Sequence, residues 1–144
     1  MNRPEKDLYY LRIAAAILAR GTCIQRNYGA VIVNNDQIVG TGYTGAPRGV
    51  ENCCDHGTCR RNEVGALPGE RYELCNSVHA EMNAIISAGR ERCINALIYI
   101  VGRDMTTGQY IGTEPCALCE RMIRNAGIKA AVVPTENFKL NDDE

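Results

Sequence analysis

The sequence predicts an α/β protein folded as one domain. Apolar residues recur at helical intervals near the N-terminus, β-branched runs follow, and helical and strand patterns alternate in the second half of the chain. Such alternation favours layers of helices packed on a sheet. The chain has 144 residues, 45% of them hydrophobic, which is enough to build one hydrophobic core but too short for two full domains. We therefore expect one domain over residues 1–144.

The first elements are predicted to be a helix and a β-hairpin. Apolar residues at mostly helical spacing predict a helix over residues 5–20, with Gly21 as its stop. A β-branched run at 28–33, turn residues at 34–36 and renewed apolar character at 37–43 predict two paired strands.

Residues 44–76 show no period and are rich in glycine, proline and charge. A loop of this length is unusual inside a compact domain, so something must hold it in place. Beyond it, Asn76 or Ser77 can cap a helix that Gly89 ends. The predicted order from there is helix 77–88, strand 96–101, polar segment 102–114, helix 116–125, strand 128–133 and a solvated acidic end at 141–144.

Charge and cysteine usage narrow the functional class. A formal net charge of −1 gives no general attraction to phosphate backbones, so a small-molecule substrate is favoured over nucleic acid. The short apolar run at 13–19 lies between Arg12 and Arg20 and fits an amphipathic helix, which predicts a cytoplasmic protein without a membrane segment. In a reducing cytosol, the eight cysteines are expected as metal ligands or small buried residues.

Three residues match the ligand set of a catalytic zinc ion: His79, Cys116 and Cys119. A catalytic site takes three protein ligands and leaves the fourth position to water, whereas a structural site takes four. Each motif is expected to open a helix, where backbone N–H groups stabilise thiolate charge, and Pro115 suits a first helical position.

Glu81, two residues after the histidine, is the predicted proton shuttle. Zinc lowers the pKa of bound water to about 7, and a nearby carboxylate can take that proton and pass it to the substrate. Attack at an amino-bearing ring carbon then gives a carbonyl and ammonia. The alternative is that His79 packs in the core while Cys116 and Cys119 form half of a structural zinc site or a redox pair, but the two motifs together favour catalysis.

With these motifs, the chain resembles the zinc-dependent cytidine and deoxycytidylate deaminase superfamily, most closely the deoxycytidylate (dCMP) deaminases of bacteria, phages and archaea. The likeness runs from about Leu8 to Val133. The segments that carry it are Gly-Thr-Cys at 21–23, Tyr-Gly-Ala-Val-Ile-Val at 28–33, Gly-Thr-Gly-Tyr-Thr-Gly-Ala-Pro at 40–47, Gly-Glu-Arg-Tyr-Glu-Leu-Cys at 69–75, Val-His-Ala-Glu-Met-Asn-Ala at 78–84, and residues 115–127.

The resemblance implies a three-layer α/β/α cytidine deaminase-like fold with a central five-stranded mixed sheet and the zinc ion at two helix N-termini. It implies that the Ala80 backbone N–H binds the pyrimidine carbonyl, that Glu81 shuttles protons and that Arg26 contacts the 5′-phosphate; Arg26 as a solvated surface charge is the alternative. It further implies homo-oligomers, commonly hexamers. Many members respond to Mg-bound dCTP and dTTP as effectors, with the loop corresponding to 42–49 involved.

Two departures from the family bear on the substrate. Thr44 stands where the family usually has an asparagine that helps hold the sugar or base, and a hydroxyl cannot reproduce the two-pronged geometry of an amide. The segment at 102–114 is longer than the usual connection and is expected as a hairpin over the pocket or as a passive surface insertion.

The remaining clustered cysteines suggest a second, structural zinc site. The dCMP deaminases often have one, and the matched motifs select Cys23, Cys54, Cys59 and Cys75. Cys53 and His56 are alternates, and ordinary buried thiols are the competing interpretation. A bound ion would tie the long loop to the end of the first helix. Cys93 has no partner in sequence and is expected as a small core residue.

The leading functional prediction is hydrolytic deamination of dCMP to dUMP. The alternatives are deamination of another small amino-base, nucleoside or modified nucleotide, deamination of adenosine in tRNA, and a non-catalytic zinc-binding or nucleotide-sensing module. A tRNA enzyme would be expected to show a basic surface, which the composition does not suggest. Retention of Glu81 beside three ligands argues against the non-catalytic module.

Overall fold

Five strands form one mixed sheet with helices on both faces, which confirms the predicted fold class. The computed structural model describes residues 2–112 and 114–135, and the predicted acidic end lies outside them. In chain order the elements are α1 (Lys6–Leu18), β1 (Arg26–Asn34), β2 (Gln37–Tyr43), α2 (Cys53–His56), α3 (Arg60–Glu63), a 3₁₀ turn (Tyr72–Leu74), α4 (Ala80–Ala88), α5 (Arg90–Cys93), β3 (Leu97–Asp104), β4 (Tyr110–Ile111), α6 (Ala117–Asn125) and β5 (Ala130–Val132).

The strands lie in the order β2, β1, β3, with two short strands sharing the outer edge of β3. β4 pairs antiparallel with Gly102 and Arg103, and β5 runs parallel beside the other end of β3. The predicted β1–β2 hairpin is confirmed. Its turn residues Asn35 and Asp36 have φ of 50° and 59°, as expected where both central residues of a tight hairpin turn are left-handed.

Alternate residues of β1 and β3 point to opposite faces and build two separate cores. On one face, five side chains of α1 pack on Val31, Val33, Tyr99 and Val101. On the other face, α4 and α6 pack on Ala30, Ile32, Ile98 and Ile100. The α4 and α6 face is the one that carries the functional motifs.

Two glycines of β2 let α4 lie directly against the strand. A Cβ built on Gly42 would stand 2.4 Å from the Ala80 oxygen, and one on Gly40 would stand 2.6 Å from the Ala84 oxygen. Only glycine permits this approach without displacing the helix backbone. The two glycines therefore set the position of the α4 N-terminus.

Several predicted boundaries differ from those observed. The loop at 44–76 contains α2, α3 and the 3₁₀ turn, which its composition did not signal. The polar segment at 102–114 is in part a hairpin, because β3 continues to Asp104 and pairs with β4. Cys93 is fully buried in the core of the α4 face, as expected. Within the described residues, no helix has the length and apolar character needed to cross a membrane.

Candidate active site

His79, Cys116 and Cys119 converge although 40 residues separate the first from the last. The His79 Nδ1 atom lies 3.1 Å from the Cys119 Sγ atom and 3.6 Å from the Cys116 Sγ atom. Their ligand atoms all lie within 4.8 Å of one another, and no other such group of three occurs in residues 2–112 and 114–135.

His79 is the residue that precedes α4, with an extended backbone at φ −67° and ψ 149°. The prediction of Asn76 or Ser77 as helix cap is wrong, since the helix begins only at Ala80. The cause is a two-way backbone bridge between Val78 and Gly45, which keeps the chain extended up to the histidine. This bridge places His79 immediately before the first turn of α4.

Cys116 holds the equivalent position before α6. Its backbone is extended, and its Sγ atom accepts a hydrogen bond from the Cys119 N–H at 3.5 Å. Pro115 therefore precedes the cap, and its predicted place as first helical residue is wrong. Both predicted thiolates lie at the positive end of the α6 dipole, which stabilises negative charge.

Glu81 is buried, with 5% of its surface exposed, in the first turn of α4. Burial raises the pKa of the Cys119 thiol, and the neighbouring Glu81 carboxylate and Cys116 raise it further. A carboxylate and two thiols crowded at low dielectric favour a divalent cation, which offsets their repulsion and keeps the sulfurs ionised.

The donor set fits zinc. One imidazole nitrogen and two thiolate sulfurs are ligands that zinc prefers, and three protein ligands are the number found at catalytic zinc sites. The residues that would hold the ion are His79, Cys116 and Cys119, since their donor atoms already face one another. Glu81 stands beside this set as a further carboxylate.

Thr44 is buried next to the bridge that holds His79. Its Oγ1 atom accepts a hydrogen bond from the Tyr28 N–H at 3.0 Å, while its backbone oxygen accepts one from the Thr22 N–H. The hydroxyl therefore ties the end of β2 to β1. The hydroxyl keeps its own O–H and one lone pair for a substrate.

The other two predicted substrate contacts lie at the same end of the sheet. Ala80 is fully buried, and its N–H belongs to the first turn of α4, where no intrahelical acceptor exists. Arg26 is exposed at the start of β1, opposite Asp104. Hydrogen bonds from the Thr106 and Thr107 backbones lower the pKa of Asp104, and the charge of Arg26 lowers it further.

A second group of cysteines lines a cavity of about 340 Å³ between the end of α1 and the long loop. The lining thiols are Cys23, Cys53, Cys59 and Cys75. Burial raises the pKa of Cys53, and the nearby Cys23, Cys75 and Cys59 raise it further.

Cys54, which the sequence selected for this group, lies outside the cavity lining and is exposed. Consecutive residues of the short helix α2 point in different directions, and Cys53, the predicted alternate, is the one that lines the cavity. His56, the other alternate, also lines the cavity. The Gln25 Nε2 atom is buried there without a hydrogen-bond partner among the described residues.

Sequence reasoning missed one neighbour of the metal-binding group, that is, of His79, Cys116 and Cys119. The Tyr72 ring stands edge-on to the His79 ring, with 6.3 Å between centroids and 77° between planes. Tyr72 lies in the aperiodic loop, where no spacing rule predicts which side chain will return to the site. Only its place in the matched segment at 69–75 marked it.

Comparisons with known proteins agree with this geometry. Residues 4–135 match the model of the cytidine and deoxycytidylate deaminase zinc-binding region. The chain is 37% identical over 142 residues to the deoxycytidylate deaminase of Mycobacterium phage D29, covering 95% of this chain and 100% of that protein. It is 36% identical to the deoxycytidylate deaminase of Schizosaccharomyces pombe over 92% of this chain, but spans only 38% of that protein.

The fold is similar to a crystal structure of dCMP deaminase from the cyanophage S-TIM5 in complex with dCMP and dUMP. The TM-score is 0.63 at 22% sequence identity, over 92% of this chain and 86% of that one. At 22% identity, this similarity is evidence for a shared fold alone.

Proposed function

The chain belongs to the cytidine and deoxycytidylate deaminase zinc-binding family, and on that basis we propose that it hydrolyses dCMP to dUMP and ammonia. The observation that carries the proposal is the convergence of His79, Cys116 and Cys119 with Glu81 buried beside them. The full-length likeness to the D29 phage enzyme supports the choice of substrate.

In this proposal each residue of the site has a separate chemical role. A zinc ion held by His79, Cys116 and Cys119 would supply a Lewis acid that makes water a nucleophile near neutral pH. Glu81 takes a proton from the attacking water and passes one to the pyrimidine ring nitrogen. It then takes the second proton and gives it to the departing amino group, so that dCMP and water become dUMP and ammonia. The Ala80 N–H holds the pyrimidine carbonyl.

The test is ammonia release by the zinc-replete protein against dCMP, CMP, deoxycytidine, cytosine, dAMP and guanine. Turnover of dCMP above the rest is expected. A Cys116→Ser variant, which lacks one ligand, serves as the control for a contaminating activity. Absence of turnover on dCMP by the zinc-replete wild type would overturn the proposal.

A second candidate function is deamination of another small amino-base, nucleoside or modified nucleotide. The observation that favours it is the engagement of the Thr44 hydroxyl by the Tyr28 backbone, which leaves less hydrogen-bonding capacity than the family's asparagine has. Activity on another member of the same panel, with none on dCMP, would select it.

The four cysteines of the second cavity are proposed to hold a structural zinc ion, with Cys53 in place of Cys54. The position of all four thiols on one cavity wall, with Cys53 partly buried, supports this set. No three of their sulfur atoms lie within 4.8 Å of one another in the described residues, so the thiols would have to draw together to hold the ion. Four thiolates suit a closed structural site, and the ion would order the loop between α2 and α4. Metal analysis is expected to give two zinc ions per chain.

Regulation and assembly follow from the resemblance to the family. We propose a cytoplasmic homo-oligomer, commonly a hexamer in this family, with Mg-bound dCTP as activator and dTTP as inhibitor acting through the loop at 42–49. Exposed apolar side chains such as Ile86 on α4 and Leu118 on α6 support a subunit contact. Analytical ultracentrifugation and assays with added dCTP or dTTP test these points, and a monomer unaffected by either nucleotide would refute them.

A further inference from the structure

Tyr72 and Arg61 form a stacked pair next to the metal-binding group, and the proposed mechanism uses neither. The Tyr72 ring meets the His79 ring edge-on and is 43% exposed. The Arg61 Cζ atom lies 4.6 Å from the centroid of the Tyr72 ring. The three side chains thus form a series that leads from the metal-binding group towards α3.

The guanidinium of Arg61 is fixed in place by the loop itself. Its Nε atom donates to the Glu70 carbonyl at 2.8 Å, and its Nη2 atom donates to the Leu67 carbonyl at 3.0 Å. A guanidinium has five N–H donors, so three remain for a ligand. The stacking and the two backbone bonds orient these donors before any ligand arrives.

The charge of Arg61 is not neutralised by a direct partner. Among the described residues Arg61 makes no ion pair, whereas Arg71, on the same loop, pairs with Glu73 at 2.5 Å. That bond from Arg71, with a smaller contribution from the charge of Arg61, lowers the pKa of Glu73. Arg26, opposite Asp104 across the strands, also makes no ion pair among the described residues; what sets Arg61 apart is its stacking on Tyr72 beside His79.

We infer that Arg61 binds the 5′-phosphate of a nucleoside monophosphate whose base lies at the metal-binding group, with Tyr72 lining the path between them. The inference deepens the proposed function and rests on it. A phosphate accepts two parallel N–H bonds from one guanidinium, and such charge-assisted pairs are stronger than neutral ones. The 6.3 Å between the His79 and Tyr72 ring centroids and the 4.6 Å from the Tyr72 centroid to the Arg61 Cζ atom put that carbon no more than about 11 Å from the His79 ring, which is within reach of a nucleoside monophosphate bound at the site.

The test compares binding of dUMP and deoxyuridine by isothermal titration calorimetry in the zinc-loaded protein. Arg61→Gln is expected to weaken dUMP about 10- to 100-fold, the range for hydrogen bonds to a charged group, and to leave deoxyuridine unchanged. Arg60→Gln removes the neighbouring charge on the same helix and is expected to bind dUMP like the wild type. Tyr72→Phe keeps the ring and should retain dUMP affinity.

A second variant separates phosphate binding from loop integrity. Arg61→Lys keeps the positive charge, but its three donors cannot hold two carbonyls and also give the phosphate two parallel bonds, so an intermediate loss of dUMP affinity is expected. Unchanged zinc content and deoxyuridine affinity show that the site is intact. Equal loss of dUMP and deoxyuridine binding in both variants would mean that Arg61 only supports the loop, and would overturn the inference.

Failure of the inference is distinguishable from failure of the proposed function. Wild-type affinity for dUMP in Arg61→Gln, in a protein that turns over dCMP, would refute the role of Arg61 alone. Loss of the preference for dUMP in Arg26→Gln but not in Arg61→Gln would assign the phosphate to Arg26 instead. A wild type that neither deaminates dCMP nor binds dUMP would refute the function itself.

Discussion

At the scale of single residues, Glu81 allows metal binding and proton transfer to be separated. Its carboxylate is buried beside the cluster but is not one of the three converging ligands. Glu81→Gln is therefore expected to retain zinc while kcat for dCMP falls by about 10² to 10⁴, the usual worth of general acid–base catalysis. Zinc content and deamination rate are measured on the same sample.

Cys116→Ser is the matched comparison for this experiment, because it removes a ligand and should lose both zinc and activity. Loss of zinc from Glu81→Gln to the same extent would show that the carboxylate is a ligand. The shuttle role would then be wrong.

Cys53 and Cys54 provide a matched pair for the second metal site. Cys53 lines the cavity with three other cysteines, whereas Cys54 is exposed. Cys53→Ser should lower the zinc content from two ions to one per chain and lower the melting temperature, since a structural ion stabilises the folded state. Cys54→Ser should leave both unchanged. The opposite pattern in metal analysis would restore the set that the motifs selected.

This pair also shows which residues of the two sites could be predicted from the sequence and which could not. The convergence of His79, Cys116 and Cys119 follows from motif spacing, because each motif lies at the start of a helix and the helix fixes its geometry. Cys53 and Cys54 are adjacent and chemically identical, and their loop has no period. Which of the two turns inward depends on the path of the folded loop, and spacing carries no information about that path.

At the scale of elements, the contact of α4 with β2 positions the site. Gly42→Ala would place a Cβ 2.4 Å from the Ala80 oxygen and 2.5 Å from the Ala84 nitrogen. The helix must move, so we expect a loss of about 1–3 kcal/mol in the free energy of unfolding, typical of overpacking. Because His79 and Glu81 lie at the displaced end, zinc affinity should fall as well.

Gly112→Ala is the control for this substitution, because a Cβ there meets no described residue within 4 Å. Urea unfolding and zinc titration of both variants make the comparison. Equal stability and equal zinc affinity in the two variants would show that the close approach of β2 does not position the helix.

The start of α4 illustrates what local sequence signals miss at this scale. Asn76 and Ser77 are good capping residues, yet the helix begins three residues after Ser77. The bridge between Val78 and Gly45 overrides the local preference, since it joins segments more than 30 residues apart. The alternation of helices and strands was predictable because it depends on short-range sequence patterns. Those patterns carry no information about pairing between segments that are distant in the sequence.

At the scale of the whole molecule, the two faces of the sheet have different tasks. The α4 and α6 face carries the metal-binding group, and the α1 face contributes stability. α1 is tied to the β1–β2 turn by the Tyr10 hydroxyl, which donates to the Asp36 carboxylate at 2.5 Å, and by an ion pair between Lys6 and Asp36. Changes on the α1 face should therefore alter stability without altering zinc binding.

Tyr10→Phe tests this separation and carries a defined pH dependence. The hydrogen bond to Asp36, together with burial, raises the pKa of Tyr10 from 10.0 to about 12. A raised pKa means that the folded state holds the proton more tightly, so its contribution to stability is complete below pH 10 and is lost as the pH rises to about 12. We expect Tyr10→Phe to lower the free energy of unfolding by about 1 kcal/mol at pH 7, with the gap narrowing above pH 10.

Urea unfolding of both proteins at neutral and alkaline pH measures the gap, and zinc content and dCMP turnover at pH 7 should match the wild type. A gap independent of pH would show that the Asp36 bond does not stabilise α1, and a loss of zinc would show that the two faces are coupled.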